Sequence, residues 1–342
     1  MPTMKALAVF EALPSSDPDC FVEIQRERPV ASGHDLLVRI DAISVNPTDA
    51  KDRLEIAGRR DTPLILGWDM CGEVIATGEK VSQFKVGDKV ISAGDISRQG
   101  SYAEYQLVDE RISAMKPPGL TDRQAATLPL TSLAAWEALY DRLEIPAAGS
   151  ETSSAILIIG AAGGLGSMAI QFARQFSDCT VIATASRPET RAWCLELGAH
   201  HIIDHSGDLC AQIKDIGFET VPYILNCSNN IPYWETMSEI VTPEGSICLV
   251  SSTKAKLDLD LFMKKSVRIN YELMFTRSLF QTETMHLQGA VLSRLSDMIS
   301  SGKVHHVMTK QFGAMTTKTL SEAHTLIESG KMIGKIAVSG MQ

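Results

Sequence analysis

The sequence predicts a two-domain α/β protein in which a β-rich, barrel-like unit accompanies a doubly wound parallel sheet of six strands. Two patterns indicate this fold class. The first ~125 residues contain short strands with frequent glycine turns, which is typical of a compact, partly closed β barrel. From about residue 150 to about residue 275, apolar strands alternate with segments of helical spacing, which indicates a parallel sheet covered by helices. A chain of 342 residues is also too long for one ordinary hydrophobic core.

The barrel-like unit is predicted from the alternation of apolar and polar residues between glycine breaks. Its strands are expected at Met4–Phe10, Asp35–Val45, Asp69–Thr77, Asp88–Ser92 and Tyr102–Leu107. Helical spacing follows at Asp122–Leu128 and Leu133–Arg142.

The parallel sheet is predicted from six apolar strands, the number in a full dinucleotide-binding domain. They are expected at Ala155–Ile159, Thr180–Ala185, His201–Asp204, Tyr223–Asn226, Ser246–Val250 and Val267–Tyr271. The intervening helices are expected to begin at Gly164, Pro188, Asp208, Pro232 and Leu259. The remaining tail is predicted to return to the barrel-like unit, with elements at Glu283–Ser300 (helix), Met308 (strand), Thr319–Ser329 (helix) and Lys335–Ser339 (strand).

A glycine-rich turn follows the first strand of this sheet. The apolar run Ala155–Ile159 is suited to a strand that is buried on both faces, and helical spacing resumes after the turn. Strand, glycine turn and helix form the phosphate-binding corner of a dinucleotide fold, because glycine lets backbone N–H groups approach a pyrophosphate at a helix N-terminus. The expected contacts are Gly160, Ala161, Gly163, Gly164, Leu165 and Gly166.

The same region has a competing interpretation as a membrane span. Residues 152–173 carry no charge, and Gly160 with Gly164 fits a small-xxx-small pattern. Four glycines and a serine interrupt the segment, however, and no other stretch of the chain is long and apolar. The dinucleotide interpretation is therefore favoured.

The residues after the second strand of the sheet indicate which dinucleotide binds. An NAD site has a carboxylate about 20 residues beyond the glycines, where it accepts hydrogen bonds from the adenosine ribose. Here the chain has Ser186, Arg187 and Pro188. A hydroxyl and a guanidinium hold a 2′-phosphate, which a carboxylate would repel, so NADPH is the predicted cofactor. The alternative is that Arg187 is a solvated surface charge.

Composition restricts the partners of the protein. The net charge of −9 argues against nucleic acid or an anionic membrane as the main partner. The seven cysteines are scattered without a CxxC pair, so neither a disulfide framework nor a zinc ribbon is supported. The N-terminal apolar stretch is too short for a secretory signal, which leads us to expect a cytoplasmic protein.

Several stretches resemble the medium-chain dehydrogenase/reductase superfamily. They are SVNPTDAKDR (44–53), ILGWDMCGEVIATG (65–78), FKVGDKV (84–90), GSYAEYQLV (100–108), LPLTSLAAWEAL (128–139), ELGAHHIIDH (196–205), ELMFTRSLFQT (272–282) and IESGKMIGKIAVSG (327–340). The resemblance spans nearly the whole chain and is specific to the quinone oxidoreductase side, closest to the "zinc-type alcohol dehydrogenase-like" branch. It implies a GroES-like catalytic domain at residues 1–127 and 276–342, and a Rossmann NADP-binding domain at residues 128–275.

The resemblance also shows that this chain lacks the ligands of the catalytic zinc. Zinc-dependent members carry a cysteine, a histidine and a third cysteine or acidic ligand at positions that match Asn46, Trp68 and Leu130. An amide, an indole and an apolar side chain do not make a zinc site. The four closely spaced cysteines of the structural zinc loop are missing as well. No metal is therefore expected.

Without a Lewis acid, reduction of an activated acceptor is easier than oxidation of a simple alcohol. The resemblance implies an NADPH-dependent, metal-independent reductase that transfers hydride to quinones or α,β-unsaturated carbonyls. Asn46 is expected to donate an amide N–H to the substrate oxygen, and Lys51 to stabilise an enolate. Their alternatives are turn chemistry before Pro47 for Asn46 and a surface role for Lys51. Trp68 and Asp69 are expected to line the substrate pocket, although a barrel tryptophan is commonly part of the core.

Further cofactor contacts are expected from strand ends and from the resemblance. The carboxyl ends of parallel strands place ligands near the nicotinamide and ribose. The full set is Thr131, His205, Asn226, Cys227, Ser228, Ser251, Phe275, Thr276, Arg277 and Lys335. The resemblance also implies a homodimer that pairs through the edge strand 267–271. Two other functions remain open: a catalytically idle NADPH-binding protein with a sensor or structural role, and a zinc-dependent alcohol dehydrogenase.

Overall fold

The structure is a computed structural model that describes residues 2–150 and 154–341. The chain forms two compact units. The first contains the chain as far as Leu133 together with the segment from Phe275 onward, and the second is Ala134–Met274. Each unit is built around its own principal sheet.

The N-terminal part of the first unit consists mainly of short strands. They are β1 Thr3–Ala8, β2 Val22–Glu27, β3 Asp35–Val45, β4 Asp69–Thr77, β5 Lys89–Ser92, β6 Tyr105–Asp109 and β7 Ser113–Met115. Two helices accompany them, α1 Pro47–Leu54 and α2 Asp122–Ala126. The following helix α3, Pro129–Trp136, runs across the division between the units and continues into a π-helical turn at Glu137–Arg142.

The second unit alternates strands and helices. The strands are β8 Ala155–Ile159, β9 Thr180–Thr184, β10 His201–Ile203, β11 Val221–Asn226, β12 Val241–Leu249 and β13 Arg268–Tyr271. The helices between them are α4 Gly164–Phe176, α5 Pro188–Glu196, α6 Leu209–Asp215, α7 Trp234–Ile240 and α8 Asp260–Met263.

These six strands form one parallel sheet in the order β10-β9-β8-β11-β12-β13. Numbered within the unit, this is the order 3-2-1-4-5-6 of a doubly wound dinucleotide-binding domain. β8 is buried along its whole length, as the apolar run predicts. The predicted Rossmann sheet is therefore confirmed, and its switch of strand order lies between β8 and β11.

The C-terminal part adds elements to the first unit. They are α9 Thr276–Leu279, α10 His286–Ser300, β14 Met308–Ala314, α11 Thr317–Glu328 and β15 Lys335–Ser339. The principal sheet of this unit has the order β14-β15-β3-β4-β5-β7, with β6 paired to β3. The β14–β15 pair is parallel, and the other pairs are antiparallel. The β-rich, GroES-like domain predicted from the sequence is confirmed.

Several elements differ from their predicted form. β2, β7 and α1 are absent from the prediction, and the strand expected at 102–107 lies at Tyr105–Asp109. The helix expected at 133–142 is divided between α3 and the π-helical turn. Across residues 2–150 and 154–341, no helix is long and apolar enough to cross a bilayer. This holds for α4, the helix that contains the end of the uncharged stretch 152–173. Residues 152 and 153 lie outside the described residues.

Candidate functional site

The glycine corner of the second unit has the geometry of a phosphate-binding turn. Gly160 adopts a φ of 75°, a left-handed conformation that side-chain-bearing residues rarely accept. A Cβ on Gly166 would lie 2.6 Å from the Cα and carbonyl oxygen of Ala161, so only glycine lets α4 pack this close to the turn. The Gly160 amide donates to the Thr184 hydroxyl at 3.0 Å and ties the turn to the end of β9.

The start of α4 supplies the backbone N–H donors of this corner. Gly163 is the N-cap of α4, and the first N–H groups of a helix have no acceptor within the helix. The amides of Gly164, Leu165 and Gly166 are therefore the donors that a pyrophosphate would meet, with the helix dipole adding favourable charge. The residues fit the phosphates of a dinucleotide.

Ser186, Arg187 and His205 lie together beyond the end of β9. The Ser186 Oγ and the His205 Nε2 are 3.5 Å apart. The Arg187 guanidinium lies 3.2 Å from the Glu189 carboxylate, and both side chains are exposed. Glu189 therefore has a second role besides its position in the first turn of α5: it forms an ion pair with the guanidinium predicted to hold a 2′-phosphate.

Arg191 is a further cation at this edge that sequence reasoning missed. One turn along α5 from Arg187, its guanidinium donates to the Ala185 carbonyl oxygen at 3.3 Å. The i,i+4 spacing of the two arginines on a helix beginning at Pro188 was the available signal. Arg191 therefore adds a second guanidinium at the end of β9, beside Ser186 and Arg187.

The polar residues after β11 and β12 form a bridge between the two strand ends. Asn226 donates to the Asn230 Oδ1 at 3.0 Å, and Asn230 donates to the Ser251 carbonyl oxygen at 2.6 Å. The Ser228 amide donates to the Asn226 Oδ1 at 3.0 Å. Burial raises the pKa of the Cys227 thiol, which keeps it neutral. The structure thus places these predicted cofactor residues at the carboxyl ends of the strands.

In the first unit, three strand ends bring Lys335, Asn46 and Asp69 together. Ile336 pairs with Val45 and Ser44 pairs with Asp69, so the start of β15 and the start of β4 flank the end of β3. The Lys335 ammonium donates to the Asn46 Oδ1 and, at 2.8 Å, to the Asp69 Oδ2. All three side chains are buried.

The expected role of the Asn46 amide needs correction. Its Nδ2 donates to the Asp69 Oδ2 at 2.9 Å and lies 3.4 Å from the Ser44 carbonyl oxygen, a contact at the outer limit of hydrogen bonding. Its backbone N–H donates to the Asp49 carboxylate at 2.8 Å at the start of α1. Asn46 therefore anchors the start of the helix, and its buried amide donates to Asp69 rather than to a substrate oxygen.

Asp69 uses both of its carboxylate oxygens. Oδ2 accepts from Asn46 and Lys335, and Oδ1 accepts from the Leu130 amide at 2.8 Å. Trp68 donates its indole N–H to the Asp52 carboxylate at 3.0 Å and packs edge-on against Phe275, with ring centroids 5.8 Å apart. Phe275, predicted as a cofactor contact, therefore belongs with Trp68 in the first unit.

The other predicted residues of the first unit lie on its helices. Lys51 is exposed on α1. The Thr131 hydroxyl lies 3.4 Å from the carbonyl oxygen of Thr127 one turn earlier, a contact at the outer limit of hydrogen bonding. Thr276 and Arg277 form the start of α9, directly after Phe275.

A second buried polar group adjoins this cluster. The Tyr102 hydroxyl lies 3.1 Å from the Asp49 Oδ2 and 3.0 Å from the His324 Nε2. Burial raises the pKa of Asp49 to about 8 and lowers the pKa of His324 to about 3, because an isolated charge is poorly solvated there. Sequence reasoning missed both residues, since the contacts join positions 53 and 222 residues apart.

The cluster of Asn46, Asp69 and Lys335 does not fit zinc. Its oxygen donors are the Asp69 carboxylate and the Asn46 amide oxygen, and the Lys335 ammonium already lies against both. Zinc requires thiolate, imidazole or carboxylate ligands in a closed or nearly closed tetrahedral set. Within the described ranges, 2–150 and 154–341, no cluster of three or more His, Cys, Asp or Glu side chains has metal-binding geometry.

Comparison with known proteins identifies the family of the chain. Residues 32–118 match the model of the alcohol dehydrogenase GroES-like domain, and residues 164–288 match that of the zinc-binding dehydrogenases. The chain is 37% identical to a zinc-type alcohol dehydrogenase-like protein of Staphylococcus epidermidis, over 98% of this chain and 99% of the relative. It is 28% identical to the 2-methylene-furan-3-one reductase of Solanum lycopersicum, over 89% of this chain and 71% of the relative.

Solved structures agree with this assignment. A provisionally named zinc-dependent alcohol dehydrogenase protein from Rhizobium etli CFN 42 is 41% identical, with a TM-score of 0.94 over 100% of this chain and 99% of that chain. The quinone oxidoreductase from Coxiella burnetii is 26% identical, with a TM-score of 0.81 over 98% of this chain and 99% of that chain. The chain therefore belongs to the medium-chain dehydrogenase/reductase superfamily of oxidoreductases, among the zinc-type alcohol dehydrogenase-like proteins.

Proposed function

We propose that the protein is an NADPH-dependent, metal-independent reductase that transfers hydride to quinones or α,β-unsaturated carbonyls. The observation that carries this proposal is the chemistry at the three positions matched to zinc ligands, which hold the Asn46 amide, the Trp68 indole and the apolar Leu130 side chain. Conjugated acceptors suit such a site, because conjugation spreads the charge that develops during reduction and less Lewis-acid assistance is needed. The similarity to a furanone reductase and to a quinone oxidoreductase supports the same class of acceptor.

NADPH is proposed as the cofactor from the charge at the adenosine end of the second unit. Arg187, Arg191 and the Ser186 hydroxyl supply donors for a 2′-phosphate, and the carboxylate typical of NAD sites is absent from this position. Glu189 does not replace that carboxylate, because it lies in the first turn of α5 and pairs with Arg187.

Each part of the chain then has a defined task. The amides of the glycine corner hold the pyrophosphate, and the polar bridge from Asn226 to Ser251 fixes the two strand ends beside it. NADPH held there would supply the hydride, and solvent would supply the proton that completes the reduction. Lys51, exposed on α1, is proposed to stabilise the enolate, and Trp68 to exclude water.

We also propose a cytoplasmic homodimer that pairs through β13. This strand is the last in the sheet order, and Tyr271 at its end is 59% exposed. An edge strand of this kind presents unpaired backbone groups that a second copy can bind.

The decisive experiment compares NADPH and NADH oxidation side by side, in chelator, with ortho-quinones and enones as acceptors. Turnover with NADPH alone supports the proposal. Tight NADPH binding without turnover would favour a catalytically idle binding protein. Activity that appears only after zinc is added would overturn the metal-independent mechanism.

A further inference from the structure

Two neighbouring helices of the second unit are joined by a side-chain hydrogen bond. The Trp193 indole N–H on α5 donates to the Ser167 hydroxyl on α4 at 2.8 Å. Ser167 is fully buried and Trp193 is half-buried. α4 and α5 belong to successive right-handed crossovers, from β8 to β9 and from β9 to β10, so the two helices lie side by side on one face of the sheet.

Ser167 lies where the phosphate-binding turn becomes a regular helix. Its backbone N–H donates to the Gly163 carbonyl oxygen at 2.9 Å, which is the first hydrogen bond within α4. The amides of residues 164–166, the proposed donors to a pyrophosphate, directly precede it. A hydrogen bond to the Ser167 side chain therefore holds the first turn of α4 against α5.

The far ends of the two helices are held together separately. The Arg174 guanidinium, in the last turn of α4, lies 2.6 Å from the His200 Nε2 beyond the end of α5. A Cβ on Gly198 would lie 3.0 Å from the Arg174 side chain, so the turn after α5 packs directly on α4. With these ends fixed, the Trp193–Ser167 bond determines how α5 lies relative to the first turn of α4.

The start of α5 is the adenosine end of the proposed cofactor site. Arg187 is the N-cap of this helix, and the Arg191 guanidinium donates to the Ala185 carbonyl oxygen just after β9. Trp193 follows Arg191 by two residues, which is about 200° around the helix. Trp193 therefore contacts α4 while the two arginines lie on another side of α5.

We propose that Trp193 is a positioning residue that fixes the distance between the two phosphate sites of the cofactor and thereby favours NADPH over NADH. A 2′-phosphate would lie at the start of α5 and the pyrophosphate at the start of α4, so one NADPH molecule engages both helices. NADH lacks the 2′-phosphate and depends less on their spacing. The inference rests on the proposed NADPH site, whereas the connection between the helices is independent of the cofactor.

Preorganisation is the physical reason for this effect. The Trp193–Ser167 bond holds α4 and α5 in one relative position before the cofactor binds. Without it, only a fraction of the molecules has the spacing that fits both phosphates, and the apparent Kd rises in inverse proportion to that fraction. The loss of one hydrogen bond accounts for a change of about 3- to 10-fold in such a fraction.

Trp193→Phe tests the proposal, because it keeps an aromatic ring and removes the N–H donor. In isothermal titration, the Kd for NADPH should rise by about 3- to 10-fold, while the Kd for NADH changes by less than about twofold. Ser167→Ala removes the acceptor and should reduce the preference for NADPH in the same way. Because both changes break one bond, the double variant should be no worse than the weaker single variant. Losses that add in the double variant would overturn the role of this bond.

Trp234→Phe is the matched control. Trp234 lies in the same unit, and its indole N–H donates to the Asp258 carbonyl oxygen at 2.8 Å. It belongs to α7, in the crossover from β11 to β12, which lies on the opposite face of the sheet from α4 and α5. This variant should lower the melting temperature and keep the wild-type preference for NADPH. Equal loss of preference in Trp234→Phe, or equal weakening of both cofactors in Trp193→Phe, would refute the positioning role.

Hydrogen exchange without cofactor distinguishes failure of this inference from failure of the proposed function. In mass spectrometry, the segment 164–170 should exchange about 3- to 10-fold faster in Trp193→Phe and at the wild-type rate in Trp234→Phe. If the wild-type protein binds NADPH and NADH equally, the proposed cofactor and its selection by Trp193 both fail, while faster exchange still supports the connection between the helices. Unchanged exchange in Trp193→Phe would refute that connection for either cofactor.

Discussion

We predict that the Arg187–Glu189 ion pair of the second unit affects the choice of cofactor. Arg187→Ala removes a guanidinium expected to donate to the 2′-phosphate, and a hydrogen bond to a charged group contributes about 1.5–3 kcal/mol. The expected result is a Kd for NADPH that rises by about 10- to 150-fold. NADH lacks this phosphate, so its Kd should stay within about twofold.

Glu189→Gln tests the same contact in the opposite direction. The Arg187–Glu189 pair spans 3.2 Å, with side chains 39% and 55% exposed, and exposed pairs of this kind are worth about 0–1 kcal/mol. In the wild-type protein Glu189 competes with the 2′-phosphate for Arg187. Removing the Glu189 charge should therefore tighten NADPH binding by up to about fivefold. The gain should shrink as salt is added, because screening already weakens the competing pair.

Isothermal titration of both cofactors measures these effects. Arg268→Ala is the matched control, since this arginine lies in the same unit, is 52% exposed and also pairs with a glutamate, Glu144, at 2.8 Å. It lies on β13, at the opposite edge of the sheet from β10. Equal weakening of NADPH and NADH by Arg187→Ala, or an equal loss in Arg268→Ala, would refute recognition of the phosphate by Arg187.

Two further predictions concern the glycine corner and the buried carboxyl of the first unit. Gly166→Ala should weaken NADPH binding ~10-fold or more in titration, because its Cβ would lie 2.6 Å from the Ala161 backbone. Gly313→Ala is the control and should leave NADPH binding unchanged, because a Cβ there meets nothing within 4 Å. Equal NADPH affinities of the two variants would contradict the tight turn. Burial raises the pKa of Asp49 from about 4 in the unfolded chain to about 8, so the folded state binds more protons and stability should fall as pH rises through this range. In urea unfolding, Asp49→Asn should reduce the fall in the free energy of unfolding between about pH 6.5 and pH 8.5. This window lies above the pH at which His324 titrates in the unfolded chain. An unchanged pH dependence would show that another group titrates there.

Elements with a strong local pattern could be predicted from the sequence. β8 is an unbroken apolar run between turn residues, and its predicted bounds, Ala155–Ile159, agree with the structure. β3 and β4 likewise combine apolar content with flanking turns. β2 was missed because its residues, VEIQRE, are mostly polar and none is fully buried, so it lacks the hydrophobic signal of a strand.

The proposed cofactor half of the site has a stronger sequence signal than the proposed catalytic half. Phosphate binding depends on consecutive residues, such as the turn from Gly160 to Gly166, which one sequence displays directly. The Lys335–Asp69 contact joins positions 266 residues apart, and it depends on the register of two strands against β3. No local pattern encodes such a register, so Asn46 was assigned a free amide that the fold uses internally.

The pairing of β15 with β3 has a consequence for synthesis of the protein. The Ser44 hydroxyl donates to the Ile336 carbonyl oxygen across 292 residues of chain, so the sheet of the first unit lacks the strand between β14 and β3 until residues 335–339 leave the ribosome. The six strands of the second unit all lie between 155 and 271 and emerge earlier. Folding during translation can therefore finish in the second unit while residues 42–45 of β3, translated long before, still lack the strand that pairs with them.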